Sequence, residues 1–204
     1  MSQRVGVIDY GGGNLRNVLN VLRYLGREGS LVSAPEHLEK IDRLVFPGVG
    51  AFGDCVDDLD RKGLRAPLRQ WLEDDRPYFG ICLGYQVLFE RSAESPDHEG
   101  LGFFRGGVKR FDPSPGLKIP HMGWNEVEPK NPDEPPWTGS PEPLHLYFVH
   151  SYHPVPDDEA IVASVTEYGP PFASSVRSGN VFACQFHPER SQEAGLRILG
   201  NFLG

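Results

Sequence analysis

Apolar residues in the first half of the chain follow two different spacings. Short apolar runs, typical of buried strands, occupy Val5–Ile8, 31–33, 44–46 and 78–81. A second pattern, with three- and four-residue spacing, predicts an amphipathic helix between a glycine-rich turn at 11–13 and Gly26. Its apolar stripe consists of Leu15, Val18, Leu19, Leu22 and Leu25. Residues 83–89 predict the helix that leaves the strand at 78–81. This alternation of strands and helices indicates a parallel, doubly wound sheet.

The second half of the chain has a different pattern. Gly and Pro turns separate apolar runs that predict strands at 103–111, 119–127, 144–153, 161–167, 172–176 and 181–186, and the segment 193–202 is helical. We therefore expect mixed or antiparallel strands that extend the first sheet or form a second one. The fold class predicted is α/β, with a mostly parallel central sheet, helices on both of its faces and added antiparallel strands.

The segment 129–143 contains six prolines, which exclude a central strand or a continuous helix. We interpret it as a surface excursion and expect residues 1–204 to form a single domain. A chain of 204 residues is long enough for one large core.

Charge and cysteine content narrow the class of protein. The 28 acidic residues exceed the 20 basic ones and give a net charge of −8, which argues against nucleic-acid or anionic-membrane partners. The apolar runs are too short for a membrane span or a signal peptide. Three widely spaced cysteines suit a reducing compartment, so we expect a cytoplasmic protein without disulfides.

The most specific local motif is GICLG at residues 80–84, directly after a predicted strand and at the start of a predicted helix. The equivalent serine motif puts a nucleophile on a strained turn, where glycines leave room around it. Cys82 would then lie at the carboxyl end of the sheet, with the Leu83 N–H available to an oxyanion. A buried structural cysteine beside turn glycines is the alternative.

A cysteine nucleophile needs a base and a group that orients the base. The sequence HPE at 187–189 follows a predicted strand, so His187 could accept the thiol proton while Glu189 holds the other ring nitrogen. A partly buried, purely structural histidine is the alternative. The glycine-rich loop at 46–52 also follows a strand and could complete an oxyanion hole.

Together these motifs resemble the triad, or class I, glutamine amidotransferases. GICLGYQ at 80–86 and HPE at 187–189 carry that resemblance. Further stretches are similar to the glutaminase subunits of imidazole glycerol phosphate synthases: IDYGGGNL at 8–15, PGVGAF at 47–52, IPHMGWN at 119–125 and YFVHSY at 147–152.

The resemblance implies hydrolysis of L-glutamine through a cysteinyl thioester, without cofactor or metal, and delivery of ammonia to a cyclase subunit in a heterodimer that serves histidine biosynthesis. It implies a triad of Cys82, His187 and Glu189. The implied oxyanion-hole residues are Gly48, Val49, Gly50 and Leu83, and the implied glutamine contacts are Gln86, Ser151 and Tyr152. Residues expected near the partner are Asn14, His121, Gly123, Trp124, Asn125 and Arg190.

Two features depart from the family pattern, and several alternatives remain. Arg190 stands where relatives often have lysine, and the 129–143 segment is longer than expected. The chain could serve another ammonia-using synthase, such as pyridoxal-phosphate synthase, or resemble a folate γ-glutamyl hydrolase. It could also be a non-catalytic binding subunit. A metal site at Cys184 and His187 lacks the ligand spacing that would support it, and Cys55 and Cys184 fit apolar packing better.

Overall fold

The computed structural model describes residues 3–12, 14–113 and 116–204. Their helices are α1 (Leu15–Tyr24), α2 (Phe52–Arg61), α3 (Arg65–Glu73), α4 (Leu83–Gln86) and α5 (Gln192–Leu203). The strands are β1 (Val5–Ile8), β2 (Gly29–Val32), β3 (Arg43–Gly48), β4 (Tyr78–Cys82), β5 (Phe89–Ser92), β6 (Phe104–Arg110), β7 (His121–Glu126), β8 (Glu128–Pro129), β9 (His145–His150), β10 (Tyr152–Pro156), β11 (Val162–Glu167), β12 (Pro171–Ser178) and β13 (Val181–Cys184).

An eight-stranded sheet forms the centre of the fold, in the order β2-β1-β3-β4-β13-β12-β11-β8. The first five strands are parallel, and β12, β11 and β8 continue the sheet in antiparallel fashion. The predicted fold class is confirmed, including the antiparallel strands contributed by the second half. Two smaller sheets, β10-β6-β5 and β7-β9, account for the remaining strands.

Burial explains why the central strands were predictable. Every residue of β1, β4 and β13 is buried, as expected for strands covered on both faces. In α1, Val18 and Leu22 face the core, and the chain leaves the helix through Gly26 at a φ of +72°. Gly13, the last residue of the predicted glycine-rich turn, lies outside the described residues.

The helix predicted at 83–89 is wrong in its length. Only Leu83–Gln86 is helical, and Phe89 starts β5. The Phe89 ring packs on Tyr85 and Phe104, and β5 pairs with β6 in the three-stranded sheet. Tertiary packing of this aromatic cluster overrides the local helical pattern.

The strand predicted at 144–153 is two strands in different sheets. β9 pairs with β7, and β10 pairs with β6, with a bend at Ser151 between them. Pro154 and Pro156 lack N–H groups, and β10 lies at the edge of its sheet, where such residues are tolerated. The strand at 181–186 also ends early, at Cys184.

The proline-rich excursion packs against the main sheet. Its Trp137 is 2% exposed and contacts the rings of Phe182 and Phe186, at centroid distances of 5.4 and 6.0 Å. The Asn201 amide of α5 donates to the carbonyl oxygens of Pro136 and Thr138, at 2.9 and 2.8 Å. Among the described residues, no helix combines the length and apolar character needed to cross a membrane.

Replacing Trp137 with alanine should therefore destabilise the whole fold. We expect Trp137→Ala to lower the free energy of unfolding by about 3–5 kcal/mol, the usual cost of removing a buried large aromatic side chain. Urea denaturation measures this change. Tyr24→Ala, at a side chain that is 77% exposed, is the control and should stay within about 0.5 kcal/mol. Equal effects of the two substitutions would show that the excursion contributes nothing to stability.

Candidate active site

Three neighbouring parallel strands bring the predicted site residues to one edge of the sheet. Gly48, at the end of β3, pairs with Cys82, at the end of β4. On the other side of β4, Cys184 of β13 pairs with Ile81, so the chain after β13 runs beside Cys82. The glycine-rich loop, the candidate nucleophile and the HPE turn thus meet at the carboxyl ends of adjacent strands.

Cys82 occupies a sharp turn between β4 and α4. Its backbone has φ +52° and ψ −99°, a conformation that costs a non-glycine residue about 1–3 kcal/mol. Two close approaches require the flanking glycines: a Cβ on Gly80 would lie 2.5 Å from the Gly84 carbonyl oxygen, and one on Gly84 would lie 2.0 Å from the Phe46 oxygen. The buried Tyr78 hydroxyl donates to that Gly84 oxygen at 2.6 Å. The turn is held by packing on both sides.

His187 and Glu189 form a buried pair beside this turn. The distance from His187 Nδ1 to Glu189 Oε1 is 2.8 Å, and both side chains are 2% exposed. Because a carboxylate only accepts, Nδ1 carries the proton and Nε2 is left for the sulfur. Nε2 is buried and has no hydrogen-bond partner among the residues that the structure describes. Such a buried, unsatisfied nitrogen is typical of a catalytic group.

The charges around His187 favour its protonated form. Burial alone would lower the pKa of His187, but the negative charge of the nearby Cys82 thiolate, followed by the hydrogen bond to Glu189 and the charge of that carboxylate, outweighs the burial and raises the pKa to about 10. When the Cys82 sulfur carries a negative charge, the site therefore favours the imidazolium form of His187.

A buried serine fixes the backbone of His187. Ser191 Oγ donates to the His187 carbonyl oxygen at 2.7 Å and accepts from the Tyr147 N–H at 2.9 Å. The His187 N–H in turn donates to the Tyr147 oxygen at 2.8 Å. These bonds tie the HPE turn to β9. Sequence reasoning missed Ser191, which has the appearance of an ordinary helix-capping residue.

The two predicted oxyanion donors are in different situations. As the first residue of α4, Leu83 has an N–H with no partner within the helix. The Val49 N–H, however, donates to the Tyr10 hydroxyl at 3.1 Å, and that hydroxyl donates to the Val49 oxygen at 2.8 Å. Burial raises the pKa of Tyr10, so the hydroxyl keeps its proton. In this conformation the Val49 N–H is engaged by Tyr10.

The two glycines of the loop differ in their surroundings. A Cβ on Gly48 would lie 2.4 Å from the Leu83 Cβ, so the loop packs directly against the turn. Gly50 has φ +114° and open space around it, which leaves the loop free to change its backbone conformation there.

Among the candidate glutamine contacts, Gln86 and the Tyr152 carbonyl are linked to Cys82 through Gln185. Gln86 is 5% exposed, and its Nε2 donates to the Tyr152 carbonyl oxygen at 3.0 Å and to Gln185 Oε1 at 3.1 Å. Both amide hydrogens are therefore used, and Oε1 is left to accept a donor from a substrate. Ser151 and Tyr152 are half-buried at the bend between β9 and β10.

Residues expected near a partner divide between the two faces of β7. Trp124 is 48% exposed and lies beside Tyr147, with ring centroids 6.3 Å apart. The Arg190 guanidinium lies 4.3 Å from the Tyr147 ring centroid, a contact suited to a planar cation. Met122 is 66% exposed on the same face as Trp124. These four side chains, Met122, Trp124, Tyr147 and Arg190, make up an exposed patch beside the HPE turn.

The other face of β7 points inward. His121 is 3% exposed, and its Nδ1 lies 2.9 Å from His150 Nε2. A residue so deeply buried reaches a partner only through its neighbours. Asn125 is half-buried and bonds to His121 and to the Glu167 carbonyl oxygen. Gly123 has φ +135°, and Asn14 is half-buried at the start of α1.

The remaining cysteines lie in the core. Cys55 and Cys184 are fully buried and unpaired, and burial raises the pKa of each thiol. Across residues 3–12, 14–113 and 116–204, no three His, Cys, Asp or Glu side chains group in a way that could hold a metal ion.

Comparison with known proteins identifies close relatives. Residues 6–203 match the family described as glutamine amidotransferase class-I. The imidazole glycerol phosphate synthase subunit HisH of Synechococcus sp. (strain JA-3-3Ab) is 46% identical over 201 residues, which cover 98% of this chain and 93% of the relative. The chloroplastic imidazole glycerol phosphate synthase hisHF of Arabidopsis thaliana is also 46% identical, over 98% of this chain but 34% of that longer protein. PurLQS from Thermotoga maritima has the same fold, with a TM-score of 0.76 at 24% identity over 100% of this chain and 98% of that one.

The electrostatics of the pair can be tested by titration. We expect both Cys82→Ala and Glu189→Gln to lower the pKa of His187 from about 10 toward 6.5, with the larger change in Cys82→Ala because the thiolate contributes more. NMR titration of the imidazole carbons measures it. His121, whose pKa burial lowers to about 4, should titrate alike in all three proteins.

The same shift sets how stability depends on pH. The pKa of His187 is higher in the folded state, so its contribution to the free energy of unfolding is complete below pH 6.5 and is lost as the pH rises toward about 10. In the two variants this loss should be smaller. An unchanged pH dependence would contradict the ion pair.

Proposed function

This chain belongs to the class-I glutamine amidotransferase family, and from that premise we propose that it is the glutaminase subunit of an imidazole glycerol phosphate synthase. The observation that carries the proposal is the strained Cys82 turn beside the buried His187–Glu189 pair. This arrangement supplies a nucleophile, a base and a group that orients the base. A non-catalytic binding subunit would not need all three.

The reaction follows from the roles of these groups. The Cys82 thiolate attacks the side-chain amide carbon of glutamine, and the carbonyl π electrons move onto oxygen to give a tetrahedral oxyanion. His187, as imidazolium, protonates the departing nitrogen, the C–N bond breaks, and ammonia leaves a thioester on Cys82. His187 then takes a proton from water, which attacks the thioester. Glutamate is released and the thiolate returns.

The resting and the competent loop conformations differ in the number of N–H groups that can stabilise the oxyanion. The Leu83 N–H has no partner within α4, while the Val49 N–H is held by Tyr10. One oxyanion donor is commonly worth about 3 kcal/mol of transition-state stabilisation. With the Val49 N–H on Tyr10, the site therefore lacks the contribution of one donor, and it becomes competent when the backbone around Gly50 turns this N–H toward Cys82.

A cyclase subunit is the proposed partner and the acceptor of the ammonia. The relatives are named as subunits or, in Arabidopsis, as one longer synthase polypeptide of which this chain matches about a third. The exposed patch of Met122, Trp124, Tyr147 and Arg190 beside the HPE turn provides an apolar and aromatic docking surface. Asn14 and Gly123 belong to the stretches that the sequence resemblance predicts near the partner. Docking there would pass ammonia to the partner before water protonates it.

Partner docking is proposed to shift the loop population. A cyclase carrying its nucleotide substrate favours the competent loop only if it binds that conformation better than the resting one. We therefore expect weak glutaminase activity from the chain alone and strong activity in the loaded complex. An equal rate in both states would contradict this part of the proposal.

Substitution of the nucleophile separates the two activities of the complex. In the complex of this chain with its cyclase subunit, we expect Cys82→Ala to lower glutamine-dependent synthesis at least about 1,000-fold, because the covalent intermediate cannot form. Synthesis with added ammonia should remain at the wild-type rate, since the cyclase is unchanged. A steady-state assay with each nitrogen source measures both. Retained glutamine hydrolysis would rule out the thioester mechanism.

Removing one hydroxyl tests the resting loop. Tyr10→Phe preserves the packing on Phe46 but deletes both bonds to Val49, so we expect basal glutaminase activity without the partner to rise about 5–30-fold. Activation by the loaded cyclase should shrink by a similar factor. Tyr24→Phe, which deletes an exposed hydroxyl, is the control. Unchanged basal activity in Tyr10→Phe would mean that Tyr10 does not hold the loop.

A further inference from the structure

A buried glutamine contacts the nucleophile and has no part in the mechanism described so far. Gln185 follows β13 directly and is fully buried. Its Nε2 donates to Cys82 Sγ at 3.4 Å. Gln185 and His187 both lie beside Cys82, while Cys184 and Phe186 pack into the core. The sulfur therefore has the Gln185 amide and the His187 ring as neighbours from one segment.

The other end of the Gln185 amide is also held. Its Oε1 accepts from Gln86 Nε2 at 3.1 Å, and the second hydrogen of that Nε2 goes to the Tyr152 carbonyl oxygen at 3.0 Å. The orientation of both amides is thus determined, since exchanging oxygen and nitrogen in Gln185 would place acceptors or donors against each other.

A pair of neutral histidines anchors the Tyr152 carbonyl from the opposite side. His150 Nδ1 lies 2.8 Å from that oxygen, so Nδ1 is the donor and Nε2 accepts from His121 Nδ1 at 2.9 Å. His121 Nε2 then accepts from Asn125 Nδ2 at 3.2 Å. Burial lowers the pKa of both histidines, so the pair stays neutral. A continuous hydrogen-bond chain runs from β7 to Cys82.

The energetics favour a chemical role for Gln185 over a packing role. Burying a primary amide is costly unless its polar atoms are paired, and an aliphatic side chain would fill the same volume without that cost. A hydrogen bond to an ionised acceptor contributes more than one between neutral groups. A donor aimed at Sγ supports the thiolate and restricts where the sulfur points.

We propose that Gln185 is a further catalytic residue of this site, a fixed donor to the Cys82 sulfur, and that Gln86, the Tyr152 carbonyl and His150 are the positioning groups that hold its amide in place. This inference rests on the proposed glutaminase function. It adds a residue that orients the nucleophile from the side away from the loop.

Steady-state kinetics of the complex with the cyclase provide the first test. Gln185→Met keeps the length of the side chain but removes the donor, so we expect kcat for glutamine hydrolysis to fall about 10–100-fold. KM should change less than about threefold, because Gln86 keeps its bond to the Tyr152 carbonyl oxygen and its Oε1 stays available to the substrate. Gln185→Glu puts an oxygen in place of Nε2 and should lower kcat further than Gln185→Met.

The matched control is Tyr85→Phe. Tyr85 of α4 is as fully buried as Gln185, and its hydroxyl donates to the Ala173 oxygen at 3.3 Å rather than to Cys82. It should lower the urea midpoint while leaving kcat within about threefold of wild type. Loss of kcat in Tyr85→Phe equal to that in Gln185→Met would overturn the proposal, because any buried hydrogen bond would then have the same effect.

Alkylation of the isolated chain supplies a measurement that needs neither glutamine turnover nor the partner. The rate of iodoacetamide addition to Cys82, followed by peptide mass spectrometry, should fall by at least fivefold in Gln185→Met and remain near wild type in Tyr85→Phe. An unchanged alkylation rate and an unchanged kcat in a folded Gln185→Met protein would refute the role of Gln185.

Variants at His150 test whether this residue holds the Tyr152 carbonyl in place. They also provide a test of the proposal if Gln185→Met does not fold. His150→Phe removes the donor to the Tyr152 oxygen, whereas His150→Asn places an amide N–H near the former Nδ1. We expect kcat to fall in His150→Phe and to recover in His150→Asn. Combined with Gln185→Met, His150→Phe should add little further loss, because both act on one chain. Fully multiplicative losses, or no recovery in His150→Asn, would contradict the anchoring role.

The outcomes separate this inference from the proposed function. If the wild-type complex hydrolyses glutamine and Cys82→Ala does not, the proposed function stands whatever Gln185→Met shows. If the wild-type complex shows no glutaminase activity, the function fails, and the alkylation rates alone decide whether Gln185 acts on the sulfur.

Discussion

The left-handed backbone conformation at Cys82 is the constraint on which the site depends. It turns the chain from β4 into α4 within one residue and presents the sulfur at the sheet edge. The conformation is possible because Gly80 and Gly84 allow backbone atoms to approach where a Cβ would collide. The strain is offset by strands paired on both sides and by the Tyr78 hydroxyl beneath the turn. The same pairing sets the distance to the loop after β3 and to the HPE turn after β13.

Burial then determines how the polar groups at this edge behave. In a low-dielectric interior each of them needs a partner, and each interaction is stronger than in water. Glu189 fixes the tautomer of His187, Ser191 fixes its backbone, and Gln86 fixes the amide of Gln185. The proposed nucleophile and the proposed base are thus each held in place in the free chain. The oxyanion loop is different, because the Val49 N–H is bonded to Tyr10 and Gly50 lies in open space.

Sequence patterns identified most of what burial and strain enforce. β1 and β4 were predictable because their residues are all buried, and α1 because its apolar stripe is regular. The Cys82 turn and the HPE motif were found because strained turns demand particular residue types. The helix predicted at 83–89 failed where aromatic packing of Phe89 favoured a strand. The break at Ser151 between β9 and β10 was not predicted, because pairing with two separate partner strands leaves no local signal in the sequence.

The residues missed at the site share one property: their role depends on a contact distant in sequence. Tyr10 meets Val49 across 39 positions, and Gln185 meets Cys82 across 103. A polar residue in an apolar run, two positions before the candidate base, was the available signal for Gln185. Helix α2 was not predicted either, although the sequence contained a signal for it: Phe52, Val56 and Leu59 have helical spacing, and the structure buries all three.

This division of the site suggests where control can act. Rebuilding the triad would require moving buried, mutually bonded groups, each of which resists displacement. Moving the Val49 N–H requires only that the two hydrogen bonds between Val49 and the Tyr10 hydroxyl be exchanged for others. Val49 is 44% exposed, so the loop can move without disturbing the core. The energy involved, on the order of 1–3 kcal/mol, lies within what a docking partner can supply by binding one loop conformation better than the other. Under the proposed function, a fixed nucleophile with an adjustable oxyanion hole would let a partner control turnover without disturbing the groups that carry out the chemistry.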